Sequence, residues 1–295
     1  CGDPRNLLHW RQLWSTALLL YRLVAQPRAR INLRPQGSPM DHFLYRDGAL
    51  YAEDVPVAEI AAAVGTPFYV YSSATLLRHF RLFDEALDGM EHLVCFAMKS
   101  NSNQAVLKLL GDAGAGMDVV SGGEYLRAKA AGVSGDKIVF SGVGKTADEM
   151  RLALTGGVRQ FNVESEPEMR RLSEVATSLG MVAPITVRVN PDVDAKTHEK
   201  ISTGKKGDKF GIPIDRASEV YALAASLPGL KVVGIDVHIG SQLTQLEPFE
   251  LAYEKVKDLT IQLRAEGHEI IRLDLGGGRG IPYERSNEAP RLPTD

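Results

Sequence analysis

Lys99, His238 and the run Gly276-Gly277-Gly278 each follow a short apolar segment, and together they could hold an aldehyde, an aromatic ring and an anion. A lysine amine taken out of water loses its proton more readily and attacks aldehydes, which is what a Schiff base requires. An isolated lysine at a strand end is otherwise a solvated surface residue. A glycine run lets several backbone N–H groups approach one anion, and loops late in a β/α barrel often bind phosphate in this way. His238-Ile239-Gly240-Ser241-Gln242 adds an imidazole and a hydroxyl. A lone histidine and a glycine-rich turn are each commonly structural, so the weight lies in their joint placement.

That placement comes from parity. In Ile185-Thr186-Val187-Arg188-Val189-Asn190 the aliphatics share one face and Thr186, Arg188 and Asn190 the other. Val233 to His238 sets Asp236 and His238 against Val233, Ile235 and Val237, and Ile271 to Leu275 sets Arg272 and Asp274 against its aliphatics. In Leu93 to Lys99 the lysine shares a face with Cys95 and Ala97. If helices cover the apolar face, the polar face lines a lumen. Lys99 is expected to be buried there.

Strands are expected near 66–71, 93–98, 117–120, 138–141, 160–164, 185–190, 232–238 and 270–275. Helices are expected from 73 to about 87 and near 103–113, 122–131, 147–155, 166–179, 216–226 and 245–266, with caps at Ser165 and Asp215. From 93 onward β and α alternate, which predicts parallel strands with right-handed crossovers, in a closed barrel or a doubly wound sheet. Polar strand ends throughout the series favour the barrel, of which seven strands are countable.

The net charge of −3 supplies no basic field for a nucleic-acid backbone. Two cysteines, Cys1 and Cys95, give neither a disulfide framework nor paired metal ligands, and a cytoplasmic setting is expected. The apolar stretch within residues 7–24 is interrupted by Arg11 and Arg22, so no membrane span is expected. Residues 1–39 do not match the rest of the chain, and patterned sequence begins at Met40. The expected organisation is a non-family extension over 1–39, disordered or artefactual, with an amphipathic surface anchor as the alternative, and a barrel domain over 40–295. The connection from Pro191 to Pro213 carries Asp192, Asp194, His198, Glu199, Lys200, Lys205, Lys206 and Lys209. Its length suits a segment with a task over the active-site face. Its lysines argue against reading Asp192 and Asp194 as metal ligands, and no metal is expected.

Lysine, glycine turn and histidine together resemble the fold-type III pyridoxal-phosphate enzymes, the group of alanine racemase and of the ornithine, arginine and diaminopimelate decarboxylases. Phe96-Ala97-Met98-Lys99-Ser100-Asn101 is similar to the cofactor-attachment segment of the diaminopimelate decarboxylases. His238 to Gln242 and Leu273 to Gly278 are similar to their later cofactor segments, as are Gly116 to Glu124, His198 to Gly204 and Lys209-Phe210-Gly211. The resemblance implies an alanine racemase-like TIM (β/α)8 barrel, here incomplete and without the family's C-terminal β domain. It implies that Lys99 carries pyridoxal 5'-phosphate, that His238 stacks on the pyridine ring, and that Ser241 with Gly276, Gly277 and Gly278 holds the phosphate. Asp118 and Arg188 become further cofactor-pocket residues, and Lys99 and His238 the catalytic pair.

The implied reaction is decarboxylation of a small amino acid, meso-diaminopimelate to L-lysine, in a homodimer with neither nucleic acid nor membrane as partner. Arg279 stands where the family carries an apolar residue. The family's eighth strand and its Glu-Pro-Gly-Arg segment lie beyond these residues, so the chain alone is expected to be inactive and prone to associate through unpaired strands. Three alternatives stay open: a non-catalytic cofactor-binding or regulatory barrel, a decarboxylase of ornithine or arginine, and an aldolase-like barrel using the lysine alone.

Overall fold

The computed structural model describes residues 41–194 and 210–281. The expectations for residues 1–39, His198, Glu199, Lys200, Lys205, Lys206 and Lys209 lie outside the described residues. The chain divides into two compact units at Asp88 and Gly89.

In the first unit, β1 (Phe43–Arg46), β2 (Ala49–Ala52) and β3 (Val55–Pro56) form an antiparallel sheet in that order. The β1–β2 hairpin turns through Asp47 and Gly48, both at positive φ, the pairing that matches strand twist. Two helices come next, α1 (Val57–Val64) and α2 (Ser73–Glu85). The Ser72 hydroxyl caps α2 by accepting the Thr75 N–H at 3.0 Å. The strand expected over 66–71 is absent. Phe68 and Val70 are half-buried while Tyr69 and Tyr71 are exposed, so the alternation is real, but the segment joins no ladder among the described residues. Alternation reports facing, not pairing.

The second unit alternates as expected. Its strands are β4 (Cys95–Ala97), β5 (Gly116–Val119), β6 (Ile138–Phe140), β7 (Gln160–Val163), β8 (Ala183–Asn190), the short β9 (Ile212–Pro213), β10 (Leu230–Asp236) and β11 (Arg272–Asp274). Its helices are α3 (Gln104–Asp112), α4 (Gly122–Ala130), α5 (Ala147–Thr155), α6 (Glu166–Ser178), α7 (Ala217–Ser226) and α8 (Glu247–Ala265). Seven strands run parallel in the order β11-β10-β8-β7-β6-β5-β4, with β9 beside β8. Ser165 caps α6 as expected, its hydroxyl accepting the Glu168 N–H. Asp215 does not cap α7: it sits in a 3-10 turn over Ile214–Arg216, and Arg216 takes the cap position.

The apolar face of β8 is fully buried, with Ile185 and Val187 at 0% exposure. Each such side chain stabilises the fold by about 1.5–3 kcal/mol. The other face closes on itself. Asn162 on β7 donates to Asp274 Oδ2 on β11 at 2.9 Å, although β8 and β10 stand between the two strands. In a flat sheet those strands would lie three spacings apart, roughly 14 Å. The sheet is therefore curled around a lumen, as a partial barrel.

Asn162 uses its whole side-chain inventory in this crossing. Its amide nitrogen donates to Ser141 Oγ and Asp274, and its oxygen accepts from Gln160 Nε2 and Thr186 Oγ1. A shift in the β8–β10 register between Val232 and Gly234 matters equally. Val232 lies opposite Ile185, but Asp236 lies opposite Arg188 rather than Val189, so the irregularity turns Asp236 inward. Asn162→Leu is expected to lower stability by about 3 kcal/mol, since it orphans several buried groups at once. Urea unfolding measures this, and a loss below about 1 kcal/mol would show that the crossing does not hold the curl.

Candidate active site

The inner face concentrates charge. Arg188, Asp236 and Asp274 are in register on β8, β10 and β11, and Asp118 is in register with Ala97 on β4. Burial pushes the Asp118 carboxyl up to about 6; a bond from Ser141 opposes this, the Asp274 charge adds to it, and the Lys99 charge opposes it. Asp236 is held well above the usual carboxylate range, first by burial and next by Asp274, with Arg188 opposing. Asp118 and Asp236 are thus each disfavoured as carboxylates by burial and by the Asp274 charge beside them.

Burial likewise drives the Cys95 thiol up to about 12, with Asp274 and Asp118 adding to it. Cys95 therefore stays a protonated thiol, the weakly nucleophilic form.

At the rim, two loops are knitted together. Gly277 N–H donates to His238 Nδ1 at 3.3 Å, Leu243 N–H to Gly278 O at 2.8 Å and Gly280 N–H to Leu243 O at 2.7 Å. Arg279 pairs with Leu243 in an isolated parallel bridge, and Gln242 exchanges bonds with the Ile281 backbone. Gly276 and Gly278 both have positive φ. A Cβ on Gly276 would strike Val237 O, and one on Gly278 would strike Gly240 O, whereas Gly277 faces open space. Tyr253 on α8 donates to Leu275 O at 3.2 Å and supports the turn from behind.

The bond from Gly277 makes Nδ1 the acceptor, which assigns the neutral His238 tautomer with its hydrogen on Nε2. Burial, with the Arg188 and Lys99 charges, pushes this imidazole down to about 4. His238 is uncharged at neutral pH.

Of the expected residues, Asp118, Arg188 and His238 line the lumen and its mouth, and Gly276, Gly277 and Gly278 form the turn against His238. Ser241 is exposed on the rim loop. Lys99 departs from expectation: it is exposed rather than buried. A 3-10 turn over Met98–Ser100 takes over where β4 ends, so pleat parity does not carry to position 99. Its charge is nonetheless felt at both Asp118 and His238.

Sequence reasoning missed Asn162, Glu164, Ser141, Lys145 and Glu168. Gln160, Asn162 and Glu164 share one parity in the segment 160–164, the signal that could have found them. Glu164 accepts from Arg188 Nη1 at 3.0 Å and fixes that guanidinium, which also lies over the Phe210 ring at 5.2 Å.

The lumen suits pyridoxal phosphate on two observations. Asp118 Oδ1 is buried with no hydrogen-bond partner, and the Gly277 backbone is open where side chains on either flanking glycine would collide. Such a site accepts a donor inside and an anion at the rim.

Comparison with known proteins agrees. The family described as pyridoxal-dependent decarboxylase, pyridoxal binding domain, matches residues 73–293. A Pseudomonas aeruginosa protein named diaminopimelate decarboxylase is 56% identical over 256 residues, covering 87% of this chain and 61% of the relative. A Vibrio cholerae protein of the same name is 54% identical over 257 residues, with the same coverage of 87% and 61%. The crystal structure of diaminopimelate decarboxylase from M. jannaschii in co-complex with L-lysine is 38% identical with a TM-score of 0.79, covering 86% of this chain and 60% of that one. The chain thus spans about three fifths of the length of the relatives it matches. No helix among the described residues is long and apolar enough to cross a membrane.

Because the Asp118 carboxyl is raised on folding, the folded state binds more protons than the unfolded one between about pH 4 and 6. Stability is fully present below that window and is lost as pH rises through it. Asp118→Asn is expected to stabilise the chain by about 2–3 kcal/mol at pH 7 and by little at pH 4. Urea unfolding at the two pH values reads the difference, and a variant less stable than its parent at pH 7 would reverse the assignment.

Proposed function

The chain belongs to the pyridoxal-dependent decarboxylases, and from that premise we propose that it forms the pyridoxal-phosphate-binding part of a diaminopimelate decarboxylase, converting meso-diaminopimelate to L-lysine and carbon dioxide. The observation that carries the reading is the bond from Gly277 N–H to His238 Nδ1, which fuses the glycine turn and the imidazole where the Lys99 charge is felt.

In this reading the Lys99 amine holds the cofactor covalently. His238, neutral and half-buried, offers an uncharged aromatic face. The Gly278 backbone and the Ser241 hydroxyl take the phosphate beside the open face of Gly277, whose own N–H is held by His238, and Asp118 Oδ1 accepts a hydrogen bond that the protein itself leaves unmade. When bound, the cofactor supplies the electron sink for the pair left behind as the substrate carboxylate departs. Arg188, pinned by Glu164, contributes fixed positive charge in a lumen otherwise dominated by aspartates.

The choice of meso-diaminopimelate is supported by relatives of that name at 46–56% identity and by solved relatives holding L-lysine. A cytoplasmic homodimer belongs to the same proposal.

Added pyridoxal phosphate, reduced in place with borohydride and mapped by peptide mass, is expected on Lys99. The complete gene product is expected to release carbon dioxide from meso-diaminopimelate, and Lys99→Ala to lower kcat by roughly 10⁴-fold. Label on another lysine, or carbon dioxide only from ornithine or arginine, would overturn the assignment.

A further inference from the structure

A second buried ion pair lies behind the lumen. Lys145, in the loop after β6, has a side chain with 0% exposure, and its ammonium uses three donors: to Gly142 O at 2.6 Å, Asn162 O at 2.8 Å and Glu168 Oε1 at 2.6 Å. The other Glu168 oxygen accepts the Glu164 N–H at 2.9 Å. Glu164, 2% exposed in its side chain, then accepts from Gly142 N–H at 3.1 Å with one oxygen and from Arg188 Nη1 at 3.0 Å with the other.

The bonds form one continuous chain. It begins at the buried Lys145 ammonium and ends at the Arg188 guanidinium, whose residue is in register with Asp236.

We propose that Lys145 and Glu168 are positioning residues for Arg188, fixing through Glu164 where its charge stands in the lumen. The proposal rests on reading that lumen as a cofactor and substrate site. Isolated buried pairs rarely add net stability, because desolvation offsets attraction. A pair kept at 0% and 8% side-chain exposure is better explained by the geometry it enforces. Lys145 holds the carbonyl of Asn162, Glu168 holds the amide of Glu164, and the Gly142 carbonyl and N–H tie both to one loop. Glu164 has little freedom left. Arg188 inherits that rigidity and is held on its other side by the Phe210 ring.

The test uses the full chain and reads His238 by NMR titration, because the Arg188 and Lys99 charges both bear on that imidazole. Arg188→Gln is expected to raise the His238 midpoint. Lys145→Met with Glu168→Met removes a net-neutral pair yet is expected to raise the midpoint too, since Arg188 is released. Combining all three changes should raise it no further than Arg188→Gln alone, the non-additivity of groups acting in series. Pyridoxal-phosphate affinity should fall about tenfold in the double variant, the order seen when a supporting partner is removed from a metal site.

A double variant with the parent's His238 midpoint, or effects that add fully to those of Arg188→Gln, would overturn the proposal. Should the double variant not fold, Glu168→Gln preserves volume and is judged by the same two outcomes. The histidine titration needs no cofactor. Failure of all variants and the parent to bind pyridoxal phosphate would therefore count against the functional reading, not against this coupling.

Discussion

The hydrogen bond from Asn162 to Asp274 spans the lumen, and the curvature of the sheet depends on it. A parallel sheet with helices on one face could remain open, and its inner side chains would then point into solvent as separate groups. Arg188, Asp236 and Asp274 are already neighbours on adjacent strands, and by joining β7 to β11 across two intervening strands Asn162 brings Asp118 on β5 within electrostatic range of them. Its amide suits this role because donors and acceptors share one planar group. It can receive Thr186 and Gln160 while donating to Ser141 and Asp274, and its own side chain has no polar atom left over. A carboxylate or a hydroxyl in its place could not make the same four bonds.

The electrostatics are a consequence of that enclosure. Three aspartates share a lumen with one well-held guanidinium, and burial with mutual repulsion raises Asp118 and Asp236. Such an arrangement works against stability and is expected where a site must receive groups from outside. The orphaned oxygen of Asp118 belongs to the same pattern, because it lies among the lumen charges of Asp274 and Lys99. The rim behaves differently. There the glycine turn, the Leu243–Arg279 bridge and the Tyr253 bond to Leu275 O fully define the backbone, and the imidazole is kept neutral.

Much of this was legible in the residues. The alternation of apolar runs and helix signals located β4 to β8, β10 and β11 and all six helices of the second unit to within about three residues, because the period-2 and period-3.6 patterns there are dictated by burial. The small sheet of the first unit leaves little trace in the sequence, since β1 to β3 are short and only half-exposed and offer little contrast to read. Asn162 and Glu164 do not stand out in the sequence because single polar residues in a strand acquire meaning only from what stands opposite. Their partners are 112 and 24 positions away in sequence. No local pattern reports such pairings.

Lys99 marks the boundary of the parity argument. Along β4 side chains alternate, and Cys95 and Ala97 obey the rule. At Met98 the backbone enters a 3-10 turn with three residues per turn, so the next position no longer inherits the facing of its strand. The same holds on the opposite rim, where the β10–β11 ladder ends at Asp236 and Asp274, and loop-to-loop bonds, not the pleat, place His238. Strand register therefore fixes the floor of the site, whereas its reactive groups are set by the turns above it.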